Sequence, residues 1–132
     1  MASEHVQVVR EAWTTWLRDG PHAILPYLHP EVEWTPPEDE PDSAVHRGHA
    51  AVLDLLTGWL EAFEEFRAEP LEVEEAGDFV VISVVYCARM HGGDAVIETS
   101  EVHLVKMRDG KIAEVRGFRT IEQAQRSLRT RR

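Results

Sequence analysis

Cysteine is almost missing from this sequence, and a single thiol, Cys87, rules out any intrachain disulfide. Nothing suggests a small secreted scaffold held by cross-links, and Cys87 falls mid-strand as a packing residue. Basic residues are scarce too, with 14 Lys and Arg against 24 Asp and Glu and a formal net charge of -10. Nucleic acid and anionic membrane repel such a surface, so neither is expected as a partner. The terminal cluster RSLRTRR reads as a solvated helix end. No apolar run approaches the roughly 20 residues that span a bilayer. The opening MASEHVQVVREAW lacks the basic region and apolar stretch of a secretion signal, so the expected location is cytoplasmic. Glycine-rich phosphate loops, nucleophile elbows and nucleotide fingerprints are missing, and no cofactor is expected. His46 and His49 have the spacing of a metal pair, yet no acid or cysteine at ligand spacing joins them, so no metal is expected either.

What remains is a soluble acidic chain of 132 residues, 43% of them hydrophobic, which fits one domain over residues 1–132. At this length about two-thirds of the unfolded chain's surface can be buried, enough for a core with a cavity. From Ser3 as N-cap, Val6, Val9, Trp13, Trp16 and Leu17 recur at helical spacing until DGP at 19–21. A second helix follows Pro21, kept short or bent by Pro26. HPEVEW starts a strand, and TPPEDEPDSA at 35–44 is an exposed acidic loop. HAAVLDLLTGWLEAFEEF places Val52, Leu55, Leu56, Trp59, Leu60 and Phe63 on one stripe of a long third helix. LEVEE, FVVISVVYCARM, AVIETSEVHLVKM and KIAEVRGF are strand-like runs separated by AGD, HGGD and RDG, which predicts a four-stranded antiparallel meander. Thr120 and Gln123 have capping-box spacing and open a short terminal helix.

The run from Phe79 to Met90 is apolar on both faces, with Ile82, Val84, Tyr86 and Met90 on one side and Phe79, Val81, Val85 and Cys87 on the other. Three helices cannot cover both sides of a sheet in so short a chain. The outer face, with Val81, Val85, Val102 and Leu104, is therefore expected to form a homodimer interface.

YLHPEVEW, RGHAAV, HLVKMRDGKIAEV and GFRTIEQA, in this order, resemble the SnoaL-like group of the nuclear-transport-factor-2-like superfamily over nearly the whole chain. That group includes polyketide cyclases and is related to ketosteroid isomerase and limonene-epoxide hydrolase. The resemblance implies a cone-shaped α+β fold, with three N-terminal helices packed on a curved antiparallel sheet, a short C-terminal helix, and a pocket between sheet and helices. It also implies that His103 occupies the place of the isomerase's protonated oxyanion-hole aspartate. Tyr86, Trp34 and Trp59 then point inward, and so does Trp13 or, with a one-residue shift, Ala12. The isomerase's general-base aspartate matches Pro36, so steroid isomerisation by that route is not expected. The Asp-Arg-Asp arrangement of the epoxide hydrolase is not recognisable.

Glu101 and His103 share one face of a strand, with Cβ atoms roughly 6 to 7 Å apart. A carboxylate beside an imidazole orients the ring and favours its charged form, an arrangement suited to acid–base catalysis. Arg119 faces the cone's mouth if its strand runs without a bulge, where it could bind an anionic group or pair with Glu101. The catalytic candidates are His103 and Glu101, and the substrate-binding candidates are Trp13, Trp34, Trp59, Tyr86 and Arg119. The expected function is cofactor-free cyclase, isomerase or hydrolase chemistry on a small hydrophobic cyclic compound. The alternatives are a non-catalytic binding module and a dimeric interaction protein of the same fold.

Overall fold

A computed structural model describes residues 4–40 and 43–130. Ser3, the expected N-cap, lies outside the described residues, as do Pro41 and Asp42 of the acidic loop and the last two arginines. Helix α1 (Glu4–Asp19) buries Val6, Val9, Ala12, Trp13 and Trp16 along one face. The second helical segment, Pro21–Tyr27, is a 3-10 turn and not an α-helix. Pro26 supplies no amide hydrogen and disfavours α geometry in the residue before it, which limits the segment to this tighter form. Strand β1 (Leu28–Thr35) and the two-residue β2 (His46–Arg47) precede helix α2 (Gly48–Glu61). The meander follows as β3 (Phe63–Ala76), β4 (Phe79–Met90), β5 (Val96–Arg108) and β6 (Lys111–Phe118), and helix α3 (Ile121–Thr130) closes the chain.

The six strands form one sheet in the order β2-β1-β6-β5-β4-β3. It is mixed, not wholly antiparallel as expected, because β1 runs parallel to β6, with Trp34 opposite Val115. The helix expected through Phe66 stops at Glu61, and β3 begins at Phe63, well before LEVEE. Phe63 and Phe66 have helical spacing for a different reason. A register shift between Phe63 and Glu65 inserts an extra residue into the strand, and both rings then face the same cavity.

The main core fills the space between the inner sheet face and the helices, where Trp13, Trp16 and Trp34 are fully buried. Burying each such side chain contributes about 1.5–3 kcal/mol before conformational entropy is counted. Met90, assigned to this inner face, is instead exposed at the end of β4. The outer face is only partly open. Val81, Val102 and Leu104 are buried with Ala124, and Leu128 packs against that cluster. Ala124 and Leu128 are four residues apart on α3, so the terminal helix lays one apolar stripe on the face expected to be free. Val85 stays half-buried beyond its reach.

Candidate active site

Alternation along β5 turns Glu101, His103 and Val105 toward the helices and Val102 and Leu104 toward α3. His103 is completely buried. Its ring lies 5.4 Å from that of Trp13 and 6.2 Å from that of Trp34, and its Nε2 is hydrogen-bonded to the Tyr86 hydroxyl at 3.0 Å. Burial pushes its pKa down to about 3, so the imidazole is neutral throughout the physiological range. Burial also raises the Tyr86 phenol far above its ordinary value, with the charge of Glu101 adding to the effect. The Trp13 indole N–H, close to the hydroxyl but short of hydrogen-bond geometry, opposes that rise.

Glu101 is shifted the other way. Burial, reinforced by Glu40 and opposed by Arg119, pushes its carboxyl up to about 8. Its Oε1 lies 3.8 Å from His103 Nε2 and has no hydrogen-bond partner. At neutral pH the contact therefore joins two uncharged groups and is not an ion pair. Desolvation outweighs the attraction expected from the sequence.

Arg119 follows β6 and gathers three carboxyl groups. Its Nε donates to Asp39 at 3.0 Å, one terminal nitrogen to Glu40 at 3.1 Å and the other to Glu101 at 3.4 Å. Two local features hold it there. The Gln123 amide donates to Thr120 Oγ1 at 3.1 Å, and Gln123 Oε1 accepts the Arg119 backbone N–H at 3.0 Å, so the cap of α3 fixes the arginine's main chain. Gly117 lets the acidic loop cross β6 closely, because a Cβ there would lie 2.8 Å from Pro37 Cδ. The crossing brings Asp39 and Glu40 over the end of the sheet.

Beside this cluster lies a cavity of about 370 Å³ lined by Trp59, Phe63, Phe66 and Tyr86, by small and aliphatic side chains, and by Glu40, Glu101 and Arg119. Of the expected site residues, Glu101, Tyr86, Trp59 and Arg119 line it. His103, Trp13 and Trp34 do not: they pack behind Tyr86 and Glu101 and fill the deep end of the cone. Arg119 is engaged by carboxylates and is not free to take an anionic substrate group. Glu40, Phe63 and Phe66 were not among the expected residues. Glu40 is four residues past Pro36, the position matching the isomerase's base, in a loop whose acids read as solvated. Among the described residues no three His, Cys, Asp or Glu side chains are placed to hold a metal.

The SnoaL-like domain family matches residues 9–115, and the chain belongs to that family. Solved structures agree on the fold. TerC, co-crystallized with polyporic acid, is 23% identical with a TM-score of 0.78, covering 97% of this chain and 100% of its own. A Catenulispora acidiphila protein with a ketosteroid isomerase-like fold, in complex with trimethylamine, is 16% identical with a TM-score of 0.70, covering 84% and 86%. A Jannaschia protein named for its likeness to SnoaL-like polyketide cyclases is 14% identical with a TM-score of 0.74, covering 98% and 94%. Curated proteins gave no match by sequence.

Proposed function

We propose that the chain carries out cofactor-free acid–base chemistry, of the cyclase, isomerase or hydrolase kind, on a small hydrophobic cyclic compound. The observation that carries this reading is a carboxyl group, Glu101, held protonated at neutral pH in the wall of an aromatic cavity and beside a second carboxyl, Glu40. The contact between the two raises the Glu101 carboxyl and works against the rise of Glu40, which divides them into an acid and a base. Glu101 supplies the proton, Glu40 accepts one, and Trp59, Phe66 and Tyr86 hold the ring. His103 acts behind them, as a neutral support for Tyr86. TerC, with its bound polyporic acid, supports a cyclic ligand by likeness of fold.

The test is exchange of the α-protons of cyclic ketones for deuterium in heavy water, followed by proton NMR. Accelerated exchange that falls by about 10²-fold or more in both Glu101→Gln and Glu40→Gln supports the reading. Ketone binding without exchange would favour a binding module with the same pocket.

Self-association is proposed through the part of the outer sheet face that α3 leaves uncovered, around Val85 and Cys87.

A further inference from the structure

Resting on that pocket reading, we propose that the ligand carries a basic nitrogen: an ammonium group on an apolar, ring-sized body, with the nitrogen against the Glu40–Glu101 carboxyl pair and the body against Trp59, Phe66 and Tyr86. Four aromatic side chains and two carboxyl groups of one cavity make this arrangement. Aromatic faces attract a desolvated cation, and a carboxylate at the same end gives it a counter-ion.

Charge counting around the cavity points the same way. The groups facing Glu101 are Glu40 and Asp39 from the loop after β1, Tyr86 from β4, His103 from β5 and Arg119 after β6. Tyr86 and His103 are neutral, so three carboxyl groups confront one guanidinium, and that guanidinium already donates to all three. An anionic ligand would meet this cluster with no cation to spare. Glu101 Oε1, meanwhile, is buried without a hydrogen-bond partner, 3.8 Å from His103 Nε2.

Protons must balance on binding. In the empty protein at pH 7 Glu101 holds its proton, with its pKa at about 8. An ammonium ion placed beside it favours the carboxylate, so Glu101 releases that proton to solvent as the amine binds, and the ammonium N–H then takes its place as the acid of the site. A neutral ligand releases none.

Three near-isosteric probes separate the possibilities by calorimetry at pH 7 in buffers of different ionisation enthalpy: N,N-dimethylcyclohexylamine, acetylcyclohexane and cyclohexanecarboxylate. The amine should bind at least about tenfold tighter than the ketone, with release of close to one proton, and the carboxylate weakest. Glu101→Gln, which mimics the protonated side chain and so keeps the fold, should abolish both the proton release and the amine preference. Equal affinity for ketone and amine, or amine binding without proton release, would overturn the inference and leave the pocket reading standing. Failure of all three probes to bind would overturn both.

Discussion

The Tyr86 hydroxyl and His103 Nε2 meet at 3.0 Å across β4 and β5, on side chains almost entirely shut off from solvent. Removing either partner strands the other, at a cost of about 1–3 kcal/mol. Tyr86→Phe and His103→Leu should each destabilise by that amount in urea unfolding. The double variant should cost less than the sum of the two, by about 0.5 kcal/mol or more, because it leaves nothing unpaired. Strict additivity would mean that the bond contributes nothing.

Stability should peak in mildly acid solution. His103 has a folded pKa of about 3 against an ordinary 6.5, so the unfolded chain takes up this proton first. Stability is lost as pH falls from 6.5 toward 3, at up to about 1.4 kcal/mol per pH unit. Glu101 has a folded pKa of about 8 against an ordinary 4.5, and here the unfolded chain gives up its proton first. Its contribution is complete below 4.5 and is lost as pH rises toward 8. The two slopes oppose each other between 4.5 and 6.5, giving a plateau, with decline on the alkaline side. Chemical denaturation across pH 4 to 8 should show this shape, and Glu101→Gln should flatten the alkaline limb. A steady rise toward pH 8 would contradict the Glu101 assignment, and a loss of stability confined to the alkaline side, with none below pH 6.5 in Glu101→Gln, would contradict that of His103.

Much of this arrangement was legible in the sequence, and its failures have physical causes. Alternation along ETSEVHLVKM correctly placed Glu101 and His103 inside and Leu104 on the opposite face, because a one-residue slip would have buried Lys106 in their place. The order of helices and hairpins was readable from the change of period. Periodicity misled where a β-bulge gave Phe63 and Phe66 a helical spacing. The placement of α3 on the outer face was hidden because Ala124 and Leu128 are a thin apolar stripe in a polar helix. Glu40 was invisible as a site residue, since only the close crossing of Pro37 over Gly117 brings its loop to Arg119. The charge states of Glu101 and His103 depend on how much solvent the tryptophans exclude, which one-dimensional pattern does not carry.

That crossing is open to test. Gly117→Ala places a methyl group 2.8 Å from Pro37 Cδ, so the loop must move off β6. Because the affected atoms belong to a proline ring and not to a flexible side chain, overpacking should cost about 1–3 kcal/mol. Protease cleavage within residues 36–45 should quicken more than global unfolding does. Unchanged cleavage and stability would show that the close approach does not hold the loop.

Dimerisation depends on surface that α3 leaves free. Sedimentation equilibrium at micromolar concentration should give twice the 15.0 kDa chain mass. Val85→Glu should give monomers, with α3 still in place. A monomer for the unaltered protein would remove this proposal without touching the pocket.

The most direct test of the account is the titration of the Glu101 carboxyl carbon by ¹³C NMR, with its signal assigned by its loss in Glu101→Gln. Coupling to Glu40 makes the curve a property of the pair, with the upper step expected near 8. A single midpoint near the ordinary carboxyl value of 4.5 would mean that Glu101 is ionised at neutral pH, and the acid of the proposed chemistry would be gone.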